Sequence, residues 1–114
     1  MNTRTIHPDD IAAAIAGLIR EASFNLPPAV EKCFDEMIRA ETTDTARETL
    51  RLLKENGAIA AAQGLPLCQD CGMAIVFVEV GRGIVIDGDL EDAVNRGVEE
   101  AYRVNHLRKS VVAD

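Results

Sequence analysis

The sequence predicts an α+β fold of one domain at most, with an N-terminal helical layer, a β-hairpin and a C-terminal helix. Three observations predict it. Apolar residues recur at helical spacing through the first half of the 114 residues; a β-branched run from Met73 to Val80 then breaks that period; and helical spacing returns after Asp87-Gly88-Asp89.

Pro8, Asp9 and Asp10 supply the first turn of a helix over residues 8–24, and Ile11, Ile15, Leu18 and Ile19 give it one apolar face. Asn25-Leu26-Pro27-Pro28 ends it, and since proline is tolerated at a helix start, a second helix is predicted from Pro28 to Ala40. Its stripe is Val30, Cys33, Phe34, Met37 and Ile38, which reads Cys33 as a small buried hydrophobe. Thr42 to Thr45 offers several N-caps for a third helix, including a capping box of Thr45 with Glu48, and Gln63-Gly64 closes it. Met73 to Val80 suits a buried strand, Gly81-Arg82-Gly83 a turn and Ile84-Val85-Ile86 a partner strand, hence the hairpin. Asp89 can cap a last helix whose apolar positions are Leu90, Ala93, Val94, Val98 and Ala101, fading near Asn105-His106.

A hydrophobic fraction of 47% with 27% charged residues sets aside disordered and fibrous classes. The formal charge of −7 argues against nucleic acid or an anionic membrane as partner, because phosphate binding needs a basic footprint. The longest apolar run is too short to span a bilayer and the first residues carry no export signal, so a cytoplasmic location is expected. Three cysteines in such a chain favour reduced thiols or metal ligation over a disulfide framework. The final segment, Leu107 to Asp114, stops partly apolar, so the chain reads as cut and the domain as partial.

The densest chemistry lies in PLCQDCG, residues 66–72. Cys68-x-x-Cys71 has the spacing of half a tetrahedral zinc site, but His7 and His106 are single histidines at opposite ends that read as surface or capping residues. A thioredoxin-like dithiol would open a helix, whereas Cys68 follows a helix and precedes a strand, and Asp70 would raise a neighbouring thiol pKa. A loop with two unreactive thiols also fits the spacing. A further reading uses the whole stretch: Pro66 fixes the approach, Gly72 allows close packing, and Cys68, Gln69 and Asp70 set a thiolate, an amide and a carboxylate side by side.

PLCQDCG followed by MAIVFVEVG and IDGDLEDAVNRGVEEAYRVNHLRKSVVAD resembles the N-terminal part of the alpha region of the iron-sulfur hydro-lyases, the class I fumarase and L-tartrate dehydratase family. The family pattern there is CQDTG, a strand with a following glycine, an acidic cap and helix, and LRKS. The LPP break and the Glu-Thr-Thr before the third helix fit as well, so the resemblance runs from about residue 8 to the end.

The resemblance implies a [4Fe-4S] cluster held by three cysteines, with one iron free to act as Lewis acid on the substrate hydroxyl and carboxylate. Carried over by motif, Cys68 is a metal ligand and the only one of the three in this chain. Gln69 and Asp70 would bind substrate oxygens, Asp70 with a catalytic role at the hydroxyl or at a proton near the iron, and Arg108 would clamp a substrate carboxylate. Lys109 reads as a surface charge, and Cys71 as a substitution where the family has Thr. The remaining two ligands and the base would lie downstream, so the chain by itself is expected to be inactive, with surface exposed for the rest of the alpha region. The implied partners are that remainder, a beta region or subunit, and a small dicarboxylate (fumarate/malate or tartrate), the whole forming an oligomer. Two readings compete with this: a non-catalytic assembly module, and a small Cys-x-x-Cys redox or zinc protein.

Overall fold

The computed structural model describes residues 3–69 and 72–111. The elements run β1 (Arg4–Ile6), α1 (Pro8–Phe24), α2 (Pro28–Ala40), α3 (Asp44–Gln63), β2 (Ile84–Ile86) and α4 (Leu90–Val104). The α+β class and the four helices follow the sequence reading. The chain divides into two compact units, Met1–Arg20 with Gln69–Asp114, and Glu21–Cys68.

In the first unit β1 and β2 pair in parallel, Arg4 opposite Ile84, Thr5 opposite Val85 and Ile6 opposite Ile86. The expected hairpin is therefore corrected: β2 pairs with the N-terminal segment, and residues 73–80 form no strand within the described chain. The backbone explains the difference, because Arg4 N–H donates to Gly83 O at 2.8 Å and Asp87 N–H to Ile6 O at 3.0 Å, so β1 holds both ends of β2. Asp89 caps α4 as the sequence predicts, its carboxylate accepting from Asp92 N–H at 3.0 Å. Ile15 of α1 and Ala93, Ala101 and Leu107 are buried in this unit. Gly97 is buried as well, and a Cβ there would lie 2.6 Å from Ala12 O and 2.7 Å from Ile15 Cβ, so α4 approaches α1 almost backbone to backbone. Arg96 ties the pair on the outside, donating to Asp9 at 2.9 Å and Asp92 at 3.0 Å, bonds that raise its already high pKa.

In the second unit α2 packs on α3, with Lys54 of α3 donating to Asp35 of α2. That hydrogen bond holds the Asp35 carboxyl below its usual pKa. Phe24 and Ala60 are buried here, and Gly57 admits Leu26, whose Cδ1 would lie 2.5 Å from a Cβ at that position. No residue of α2 is fully buried, and Cys33 is exposed, which corrects its assignment to the core. Phe34 and Ile38 make the half-buried face instead, and Cys33 stands beside it.

The cap of α3 also differs in detail from the Thr45–Glu48 box. Thr43 is the N-cap, its Oγ1 accepting from Ala46 N–H at 3.4 Å, and Glu41 Oε1 accepts from the N–H groups of Thr42 (2.8 Å) and Thr43 (3.0 Å). Those N–H donors, Thr43 foremost, lower the Glu41 pKa from 4.5. A carboxyl whose folded pKa lies below its unfolded value stabilises the fold above the unfolded value and loses that effect as pH falls through the folded one. Glu41→Gln is therefore expected to lower the melting temperature at pH 7, with the gap to the wild type narrowing at about pH 3. Thermal unfolding at both pH values checks this, and an equal gap at each would remove the role assigned to the charge.

Candidate active site

The segment carrying Cys68 is launched from the end of α3. Gly64 ends that helix at φ 64, the left-handed conformation glycine adopts without strain, and the N–H groups of Gly64 and Leu65 both return to Ala60 O. Pro66 follows, and Leu67 is then fixed from both sides. Its N–H donates to Ser23 O at 2.8 Å, and its C=O accepts from Asn56 Nδ2 at 2.9 Å. Cys68 comes next, exposed, and Gln69 beside it is exposed too. Asp70 and Cys71, the proposed catalytic carboxylate and the Thr-replacing cysteine, lie outside the described residues. The Gly72 C=O accepts from Tyr102 Oη at 3.3 Å.

A similar device presents Arg108. α4 ends at Asn105, His106 takes the left-handed conformation at φ 54, and Leu107 N–H reaches back to Tyr102 O at 3.0 Å. Leu107 is buried at 4% exposure, so the chain is anchored one residue before Arg108, which is exposed. Lys109 and Ser110 line a groove of about 640 Å³ whose other walls include Gly72, Met73 and Val98. Lys109 itself is exposed, in keeping with a surface charge at the edge of that groove. The fold also brings the end of the cysteine stretch and the LRKS segment, distant in sequence, to one groove in the first unit.

Among the described residues no group of three or more His, Cys, Asp and Glu is arranged to hold a metal ion. Cys68 supplies one sulfur donor on a backbone pinned at the preceding residue, which fits one corner of a multi-thiolate site and no more. Sequence reasoning missed Asn56 and Tyr102, whose side chains donate to the Leu67 and Gly72 carbonyls near the two ends of the stretch. The signal available for Asn56 was Asn-Gly inside a 20-residue helix, two poor helix formers at its middle.

The family model for fumarate hydratase (Fumerase) matches residues 12–114. The chain belongs to that family. Within it, the chain is 33% identical over 104 residues to the putative L(+)-tartrate dehydratase subunit alpha of Methanocaldococcus jannaschii, covering 90% of this chain and 36% of that protein. It is 30% identical over 106 residues to the aerobic class I fumarate hydratase of Escherichia coli K12, covering 92% of this chain and 19% of the enzyme. The Escherichia coli L(+)-tartrate dehydratase subunit alpha matches at 28% over 98 residues, 86% of this chain and 32% of the subunit. This fumarase-family chain thus spans about a third or less of the curated relatives it matches. None of its helices, among the described residues, is long and apolar enough to cross a membrane.

Proposed function

We propose that this chain is the N-terminal portion of an alpha-type domain of an iron-sulfur hydro-lyase that reversibly hydrates a hydroxy-dicarboxylate of the fumarate/malate or tartrate type. The observation that carries the reading is the match of residues 12–114 to the fumarate hydratase family; the groove lined by Gly72, Met73, Lys109 and Ser110 lies beside the CQD and LRKS motifs. A [4Fe-4S] cluster, when bound, supplies a Lewis-acidic iron that polarises the substrate hydroxyl. Cys68 would hold it at one corner, with two further thiolates coming from polypeptide beyond this chain. Gln69 donates its amide N–H to substrate oxygens, Asp70 holds or moves the proton at the hydroxyl, and Arg108 orients the substrate by pairing with a carboxylate.

By itself the chain is inactive on this reading, since one thiolate does not retain a cluster. Its partners are the remainder of the alpha region and a beta region or subunit; two of the relatives are themselves named as alpha subunits. The run from Met73 to Val80 supports an assembled state: it lies outside any strand or helix, with Met73, Ile75, Val78 and Val80 exposed and Phe77 at 93% exposure. The same run would suit a non-catalytic assembly module.

Anaerobic reconstitution of the full-length protein with iron and sulfide separates these readings. Visible cluster absorbance together with hydration of fumarate or dehydration of tartrate is the expected result. Binding of a partner chain without cluster or turnover would favour the assembly module. Arg108→Lys in the active protein is expected to lower kcat/KM by about 100-fold, since a bidentate guanidinium–carboxylate pair replaced by a point charge loses about 2–3 kcal/mol. Lys109→Ala should stay within about 2-fold, the usual range for a charge that makes no pairing in the transition state. Steady-state kinetics on both variants check the distinction, and equal losses would withdraw the clamp from Arg108.

A further inference from the structure

We infer that Asn56 is a positioning residue for Cys68, acting through the peptide group that joins Leu67 to Cys68. Its consequence for the cluster rests on the function proposed above; the positioning itself does not. Asn56 stands near the middle of α3, where asparagine is a weak helix former and the following Gly57 weaker still. Each departure from a good helix sequence has a contact that explains it. Gly57 leaves room for Leu26, and Asn56 sends Nδ2 to Leu67 O at 2.9 Å, eleven residues along the chain.

That carbonyl shares a planar group with the Cys68 N–H. Fixing the carbonyl fixes the plane, and in a trans peptide it turns the Cys68 N–H to the side away from Asn56. Ser23 O fixes the preceding plane through Leu67 N–H at 2.8 Å. Two consecutive peptide planes are thereby set, and the direction of Sγ follows from φ and χ1 of Cys68 alone. A ligand thiolate must be held to within about 0.5 Å of its working position, and the groups that do so act without touching the metal. The carbonyl demands a donor, so a carboxylate of the same shape at position 56 removes the bond and adds repulsion.

Hydrogen–deuterium exchange on the full-length protein, prepared without added iron or sulfide, tests this independently of the cluster. Asn56→Ala and the isosteric Asn56→Asp are each expected to raise exchange at residues 67–69 about 5-fold, the equivalent of one lost hydrogen bond, while the amides of α3 stay protected. Alkylation of Cys68 by iodoacetamide, read by peptide mapping against exposed Cys33, should quicken in step. Unchanged exchange and alkylation in both variants would overturn the inference, and so would a parallel loss of protection along α3, which would make Asn56 merely a helix residue. Faster exchange at 67–69 alongside a Cys68→Ser protein that keeps its iron would uphold the positioning role and remove the cluster reading.

Discussion

Gly97→Ala is expected to destabilise the chain by about 3 kcal/mol, although the substitution improves helix propensity by about 1 kcal/mol. The sign is set by packing. A Cβ at position 97 would sit 2.6 Å from the Ala12 carbonyl oxygen and 2.7 Å from Ile15 Cβ, and the first of these is backbone that cannot rotate away. α4 must then shift off α1, which loosens the cover over Ile15 and Ala93, both buried in the same unit. Gly17 is also helical, in α1, but a methyl group there would meet nothing within 4 Å, so Gly17→Ala should stabilise by about 0.5–1 kcal/mol. Urea unfolding of both variants checks the pair. If Gly97→Ala were neutral or stabilising, the close approach of α1 and α4 would be wrong.

The helices were legible in the sequence because their ends are written in local chemistry. Pro8 and Pro28 open α1 and α2, Gly64 closes α3, and Asp89 caps α4, each through a constraint of one or two residues. The sheet was not legible. β1 is three residues without an apolar period, and its partner lies beyond three helices, so nothing local marks Arg4 as the mate of Ile84. Gly81 to Gly83 does form a turn, with Ile84 N–H donating to Gly81 O at 3.3 Å, but no described strand precedes it, and the Gly83 carbonyl accepts from Arg4 N–H. Cys33 misled for another reason: the helical period of α2 is genuine, but within its unit the half-buried apolar residues of α2, Phe34 and Ile38, lie on one flank and Cys33 stands exposed beside them.

At the site the division follows the kind of role. On the proposed function Cys68, Gln69, Asp70 and Arg108 would act through side-chain chemistry, so a motif could point to them. Asn56 and Tyr102 act by donating to backbone carbonyls of Leu67 and Gly72, and a carbonyl leaves no trace in the residue pattern. What the residue pattern did show was local inconsistency, an asparagine and a glycine spending helix stability in the middle of α3. Such breaches tend to fall where a structure needs something other than stability.

On the proposed function, Cys68→Ser is expected to abolish cluster retention and lower hydro-lyase activity of the full-length protein by at least about 100-fold, more than loss of a group that merely supports a ligand. Serine keeps the size and the hydrogen bonds of the loop, so its effect is chemical. A thiol loses its proton near neutral pH when a metal is at hand, while a hydroxyl does not, and iron-sulfur clusters are held by thiolates. The fold should survive, because Cys68 is exposed and Ser23 and Asn56 hold the neighbouring backbone. Cys33→Ser and Cys71→Ser are expected to retain cluster and activity. Iron and sulfide content, visible absorbance and turnover, measured on the three variants, give separate answers. Loss confined to Cys68→Ser supports one-corner ligation from this chain; equal losses in Cys68→Ser and Cys71→Ser would point instead to a metal or redox site built on the Cys-x-x-Cys pair. A Cys68→Ser protein with full cluster and full turnover would remove the assignment altogether.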